Sequence, residues 1–272
     1  MADNVAVLID GFNFYHAICK HMDRVTYPKS LKWLDYDALI RKVILKNRPY
    51  DKLKINFYTA NNTKKRDNNG KPHPSIEHHR TYTDALKTKN INIIEGQFKF
   101  RDEKLNTYTV CESCKNEQFV HKFDIQFPKT ICCTKCNKII DPSKITKIIK
   151  VEEKKTDVKI AIDLINIARD GEYNKIFLFS TDSDFIPPVE YIQNNCPNVK
   201  LIVVAPADKK EETIYNKKTG RIDKKSPFIY NTSDFQKLGV FVLRLKLSKL
   251  YNCLFDDTIY LPNNQYLQNP WL

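Results

Sequence analysis

The chain has 272 residues, 42% of them hydrophobic, with 15 Phe and 14 Tyr, which argues for a packed globule and against disorder. Lys and Arg number 45 against 32 acidic residues, a net charge of +13, and such a surplus points to a polyanionic partner, nucleic acid before membrane. No apolar run approaches the length that crosses a bilayer, and Met1–Asn4 brings no basic region ahead of the first apolar residues, so no signal peptide and no membrane partner are expected. The protein is read as cytoplasmic, and its eight Cys as thiols or metal ligands in preference to disulfides.

Val5–Ile9 is a short, β-branched apolar run that reads as a central parallel strand. It ends in Asp10-Gly11-Phe12-Asn13, and a helix is expected from Phe14 to Met22. Gly11 permits a tight strand-to-helix turn, which leaves the Asp10 carboxylate at the sheet's C-terminal edge. Asn13 stands where its amide can cap the helix or orient a ligand. A phosphatase of the haloacid dehalogenase type would need a second Asp two residues on, and Phe12 occupies that place.

Apolar residues from Tyr36 to Ile44 repeat at helical spacing behind Asp35, a capping residue, so a helix is expected over 35–46. Lys54–Tyr58 reads as a second strand, residues 61–75 as an exposed polar loop, residues 76–87 as a helix and Ile91–Ile94 as a third strand. His73, His78 and His79 fall close together and are read as part of that surface loop. Lys99 and Arg101, after the third strand, are candidates for phosphate contact.

The α/β rhythm then stops for some fifty residues. Cys111 and Cys114 form one CxxC pair, Cys133 and Cys136 another, with residues 115–132 between them. Two such pairs at a spacing of about 15–20 residues are the zinc-ribbon pattern. Four thiolates close a tetrahedral structural site with no open position for catalysis. Cys132 is read as a spectator, with His121 as a less favoured substitute ligand in a Cys₃His variant.

The rhythm resumes at Lys154 and Lys155, both counted among the phosphate-contact candidates together with Lys144, Lys147 and Lys150. Val158, Ile162 and Ile165 mark one face of a helix running to Ala168, with Ile160, Ala161, Leu164 and Ala168 widening it, and the helix is expected to be largely buried. Asp157 lies in its first turn, where the helix dipole favours a carboxylate. It is also the helix's candidate ligand. Asp163, six residues on and about 240° around the helix, cannot face the same ion and is read as structural.

Lys175–Phe179 is a fourth buried strand, and Ser180-Thr181-Asp182-Ser183-Asp184-Phe185 follows, with a helix expected from Ser183 or Asp184 toward Asn195. Two carboxylates at a strand's C-terminal end, beside a helix start, sit where open α/β sheets place their ligands. Residues 200–204 read as a fifth strand, 207–227 as a loop or extra hairpin, and 233–243 as a short helix; the tail gives no pattern.

The succession of strand–Ile9-Asp10-Gly11-Phe12-Asn13–helix, a helix opening with Lys154, Asp157 and Asp163, and strand–Ser180–Phe185–helix resembles the NYN domain family of the PIN-like nuclease superfamily, in its bacterial LabA-like (DUF88) branch. The resemblance covers residues 5–99 and 154–240. It implies that Asp10, Asp157, Asp182 and Asp184, assisted by Asn13, bind Mg²⁺ or Mn²⁺ and cleave RNA. Thr181 stands where the family's frequent SGDSDF has Gly.

The expected fold is therefore α/β: a doubly wound, mostly parallel sheet of the PIN-like, three-layer Rossmann type, in the order 3-2-1-4-5, with an inserted zinc ribbon. The domain is divided into a first part over 1–105 and a second part over 151–245, around a ribbon at 106–150, with 246–272 unassigned. The expected function is a metal-dependent endoribonuclease. Its cofactors are Mg²⁺ or Mn²⁺ for catalysis and Zn²⁺ for structure, and its partner is nucleic acid, RNA first. The alternatives are a DNA nuclease, an RNA-binding module with a vestigial acidic site, and a DxD glycosyltransferase. The last would leave Asp10, Asp157 and the positive charge without a role.

Overall fold

The computed structural model describes residues 2–22, 30–61, 63, 65, 71–101, 107–120, 131–140, 150–206, 212–216, 221–225 and 232–272. It divides into two compact units, one of residues 1–97 and 154–272, the other of residues 98–153.

The larger unit begins with β1 (Asp3–Asp10), α1 (Gly11–Met22), α2 (Tyr36–Ala38, continued by a π-helical turn over Leu39–Ile44), β2 (Tyr50–Thr59), α3 (Ser75–Lys87) and β3 (Asn92–Glu95). Asp35 caps α2 by accepting the Ala38 N–H at 3.0 Å. The smaller unit holds β4 (Gln97–Arg101, its first residue belonging to the larger unit), β5 (Thr107–Val110), β6 (Glu117–Val120), β7 (Ile131–Cys132), β8 (Ile139–Ile140) and β9 (Lys150–Lys154, which ends in the larger unit). These pair two by two as β4–β9, β5–β6 and β7–β8. The larger unit resumes with α4 (Thr156–Asp170), β10 (Lys175–Phe179), a 3₁₀ turn at Ser183–Phe185, α5 (Ile186–Asn195) and β11 (Lys200–Pro206). It ends with the antiparallel hairpin β12 (Glu212–Asn216) and β13 (Arg221–Lys225), α6 (Ser233–Lys237), β14 (Phe241–Leu245), α7 (Leu247–Tyr251), and the hairpin β15 (Thr258–Tyr260) and β16 (Tyr266–Gln268).

Six strands form one sheet in the order β14-β11-β10-β1-β2-β3, every pairing parallel. This is a three-layer α/β fold in the expected strand order, with β14 added at one edge. The 233–243 segment is thus a short helix followed by a strand, because Gly239 takes φ +74 and breaks the helix.

Side chains alternate across a strand, and β1 shows it. Val5, Val7 and Ile9 join the core layer with α1, α2 and α3, while Ala6 and Leu8 join the layer with α4 and α5. By parity Asp10 belongs to the α4 face, the side on which Asp157 stands. Behind it, Phe14 of α1 packs edge-on against Phe179 of β10, ring centroids 5.3 Å apart, and Tyr36 tilts against Phe57 of β2 at 5.4 Å. Such pairs contribute about 0.5–1.5 kcal/mol each beyond burial and hold α1 and α2 against the strands that carry the acidic edge.

The expected buried face of α4 is narrowed. Ile160, Leu164 and Ala168 are buried as expected, together with Ile167, whereas Val158 and Ile162 are exposed. Both sets follow i, i+4, i+7 spacing, so periodicity fits either.

Candidate active site

Asp10 is the last residue of β1 and is buried. Its Oδ1 accepts the Asn13 N–H at 3.0 Å and its Oδ2 accepts the Ser180 hydroxyl at 2.9 Å. The Ser180 oxygen in turn accepts the Asp182 N–H at 3.2 Å. Asn13 ties the same two turns together from the other side: its Oδ1 accepts both the Thr181 N–H at 3.1 Å and the Thr181 hydroxyl at 3.3 Å. The β1–α1 turn and the β10–α5 turn are therefore bolted to each other by three hydrogen bonds, one to Asp10 and two to Asn13. Thr181 adds a donor that Gly at this place would lack.

Gly11 makes the close approach possible. A Cβ there would lie 2.7 Å from the Tyr58 carbonyl oxygen and 2.7 Å from the Phe57 ring. The glycine serves the packing of α1 on β2, and its signal in the sequence is the tight turn.

Asp182 accepts the Asp184 N–H at 3.0 Å and so caps the 3₁₀ turn. Asp157 stands in the first turn of α4, whose N-cap Lys155 has φ +79. Burial, joined by the charges of Asp157 and Asp182, pushes the Asp10 carboxyl up to about 6 against the pull of the Asn13 N–H and the Ser180 hydroxyl. Asp157 is raised as well, by partial desolvation and then by the charges of Asp182 and Asp184. The charges acting on these two carboxyls tie Asp157 and Asp182 to Asp10, and Asp182 and Asp184 to Asp157. The four carboxylates are nevertheless spread wider than a closed ligand cage, since among the described residues three or more His, Cys, Asp or Glu ligand atoms come within 4.8 Å of one another only at the cysteines.

Asp163 accepts the Tyr58 hydroxyl at 2.6 Å, and Tyr58 in turn accepts from the Asn56 amide at 3.1 Å. This buried polar chain pins α4 to β2. Burial and then this bond to Asp163 hold the Tyr58 hydroxyl well above its ordinary range. Lys155 donates to Gln97 Oε1 at 2.9 Å and Lys159 to the Glu95 carbonyl at 2.5 Å, which sets two ammonium groups around the first turn of α4. Lys99 and Arg101 lie on β4, Lys150 and Lys154 on β9; their side chains fall outside the described part, and His121, Lys144 and Lys147 lie outside the described residues.

His78 and His79 lie in α3, within the helix expected over 76–87 and not in the surface loop before it, where His73 stands. His79 Nε2 lies 2.8 Å from the Thr59 hydroxyl, and burial, against the charge of Glu95, lowers its pKa.

In the smaller unit Cys111, Cys114, Cys133 and Cys136 bring their Sγ atoms within 4.8 Å of one another. Each pair is a knuckle of the same build. The Cys111 N–H donates to the Asn116 carbonyl and the Cys133 N–H to the Lys138 carbonyl; Lys115 and Asn137 carry the positive φ that closes each turn. N–H groups of Cys114 and Ser113 draw the Cys111 thiol down. Burial pushes Cys133 up, but the N–H groups of Cys136 and Lys135 and the neighbouring thiols outweigh it and bring it down to about 6. Sulfurs held this close suit a tetrahedral thiolate ligand set, whose S–S edges at a Zn–S bond of about 2.3 Å would be about 3.8 Å. Cys132 is exposed and stands outside the four.

The family model described as NYN domain matches residues 122–219. That part of the chain is similar to an NYN domain. NYN domains belong to the PIN-like nuclease superfamily, are generally nucleases and act on nucleic acids. The NYN match includes Asp157, Asp182 and Asp184, together with Ser180 and Thr181; Asp10 and Asn13 lie outside it and reach those two residues through the hydrogen bonds above. A crystal structure of a protein of unknown function from Vibrio parahaemolyticus RIMD 2210633 is similar at 16% identity and a TM-score of 0.40, over 75% of this chain and 82% of that one, a likeness too weak to carry an argument. No curated protein matches the chain. Among the described residues no helix is long and apolar enough to cross a membrane.

Sequence reasoning passed over Ser180 as a site residue. Its signal was available: a hydroxyl residue at the end of a buried apolar strand, next to two carboxylates.

Proposed function

We propose that this protein is a metal-dependent endoribonuclease whose centre is built from Asp10, Asp157, Asp182 and Asp184. The observation that carries the reading is the buried Asp10 carboxyl, raised to about 6 by burial and by its acidic neighbours, and bonded through Ser180 to the turn that holds Asp182. Like charges gathered at a strand end are costly, and a divalent cation relieves the repulsion. An oxygen-only donor set suits Mg²⁺ or Mn²⁺. Such an ion supplies Lewis-acid stabilisation of phosphate oxygens and makes a water a better nucleophile.

The chain's own residues do the rest. Ser180 and the Asn13 N–H fix the orientation of Asp10, so that the site is formed before substrate arrives. Asn13 and Thr181 keep the two acidic turns at a constant distance. Lys155 and Lys159, in the first turn of α4, offer charge to the substrate backbone, with Lys99, Arg101 and Lys154 as further phosphate contacts. Cleavage is expected to leave 3′-hydroxyl and 5′-phosphate ends. Zn²⁺, held by Cys111, Cys114, Cys133 and Cys136, has a structural role only.

The test is to incubate the purified protein with RNA, single-stranded DNA and duplex DNA, in Mn²⁺ or in EDTA. RNA cleavage in Mn²⁺ alone supports the reading. Cleavage of DNA in preference to RNA would make it a DNA nuclease, and cleavage of nothing, with RNA still bound, would make it a binding module.

A further inference from the structure

The helix that follows Asp10 carries an aromatic strip that the chemistry above does not use. An amphipathic helix normally turns charged or polar residues to solvent. Helix α1 buries Phe14, Ala17 and Ile18, and its other side shows Tyr15 and His16 exposed, with Phe12 half-buried beside them. Phe12 and His16 lie one above the other, ring centroids 6.3 Å apart and planes 30° apart, and Tyr15 meets His16 edge-on at 5.5 Å. Lys32 places its ammonium 5.9 Å from the centroid of the Tyr15 ring. Aromatic side chains interleaved with a cation are the usual platform for unpaired bases, because every base has a π-face and every linkage a phosphate.

We propose that Phe12, Tyr15 and His16 form a base-stacking platform that receives an unpaired nucleobase beside the bond to be cut, with Lys32 meeting the adjoining phosphate. This rests on the nuclease reading and extends it to the substrate: a single-stranded or locally unpaired nucleic acid. Two features connect the platform to the acidic centre. Phe12 is two residues from Asp10, and Tyr15 and His16 stand in the first two turns of the helix that begins at Gly11. Asn13, between them, is hydrogen-bonded to Asp10 through its N–H and to Thr181 through its amide oxygen, so the start of the platform's helix is tied both to Asp10 and to the turn that carries Asp182. Bases stacked inside a duplex cannot be offered to it.

The experiment measures binding of the full-length protein in EDTA by fluorescence anisotropy. The probes are a single-stranded RNA, an abasic strand with the same number of phosphates, and the duplex form of the RNA. The parent is expected to prefer the base-bearing strand to both others. Tyr15→Ala and His16→Ala should each weaken that strand by about fivefold or more, the low end for one lost stacking contact, and leave the abasic strand unchanged; Tyr15→Phe should bind as the parent does. His16 is exposed, so its variant decides the matter should Tyr15→Ala fail to fold. Equal parent affinity for base-bearing and abasic strands, or an equal loss of both in the alanine variants, would overturn the platform. Absence of cleavage by the parent in Mn²⁺ would instead overturn the nuclease reading, and the affinities would still judge the platform.

Discussion

Ser180 donates its hydroxyl to Asp10 at 2.9 Å and accepts the Asp182 N–H with the same oxygen at 3.2 Å. One atom thus links the end of β1 to the turn after β10. Replacing it leaves a buried carboxylate oxygen and a backbone N–H without partners, which costs about 1–3 kcal/mol. Ser180→Ala should therefore lower the melting temperature in EDTA. Because this hydrogen bond pulls the Asp10 pKa down, its loss should move the carboxyl above about 6, and NMR titration of the Asp10 side chain would show it.

The raised Asp10 carboxyl gives two pH trends of opposite sign. Between about pH 4 and pH 6 the folded chain holds a proton on Asp10 that the unfolded chain has released, so this group's contribution to stability falls as pH rises through that window. The whole shift is worth about 3 kcal/mol. Metal binding needs the carboxylate, so Mn²⁺ affinity should climb up to tenfold per pH unit below about 6 and level off above 7. Thermal melts in EDTA and Mn²⁺ titrations across pH 4.5–8 check both; a flat Mn²⁺ affinity from pH 5 to 7 would remove Asp10 from the ligand set.

Gly11→Ala should destabilise by about 1–3 kcal/mol, as inserting a methyl into a packed contact generally does. Its Cβ would meet the Tyr58 backbone carbonyl at 2.7 Å, and a carbonyl in the centre of a sheet cannot move aside as a flexible side chain can. Chemical denaturation measures the loss. The parent's stability in Gly11→Ala would mean that α1 can shift on β2 at no cost.

Most of the sheet was legible because its strands are buried on both faces and so read as short apolar runs: Val5–Ile9, Lys175–Phe179 and Lys200–Val204 all occur where the sequence places them. Strand β14 was hidden because Phe235, Leu238 and Val242 continue a helical i, i+3, i+7 spacing across Gly239, whose positive φ ends the helix. The facing of α4 was ambiguous for a different reason. Two interleaved apolar stripes fit the helix, and only packing against Ala6, Leu8 and Tyr58 selects Ile160 and Leu164 for the core. In the candidate site, the acidic residues and the cysteine pairs were legible from type and spacing. The hydrogen bonds of Ser180, Thr181 and Asn13 were not, because they join residues about 170 positions apart.

The cysteine cluster makes a separable prediction. Purified protein should carry one zinc per chain, lost in Cys133→Ser and kept in Cys132→Ser, since Cys132 stands outside the four sulfurs. The cluster lies wholly within the unit of residues 98–153, so zinc loss should unfold that unit locally and leave the six-stranded sheet intact. Elemental analysis and hydrogen exchange read the two outcomes; protein purified without chelator and free of zinc would contradict the assignment.

The central claim is that Asp10 and Asp182, held on two joined turns, carry a divalent cation that cleaves RNA. The most direct measurement is Mn²⁺-dependent RNA cleavage by the Asp10→Asn, Asp182→Asn double variant beside the parent, with melting temperature recorded in EDTA and in Mn²⁺. The account predicts no detectable cleavage by the variant, RNA binding retained, a melting temperature in EDTA at or above the parent's because buried charge has been removed, and a smaller rise on adding Mn²⁺. Undiminished cleavage by the double variant would contradict it.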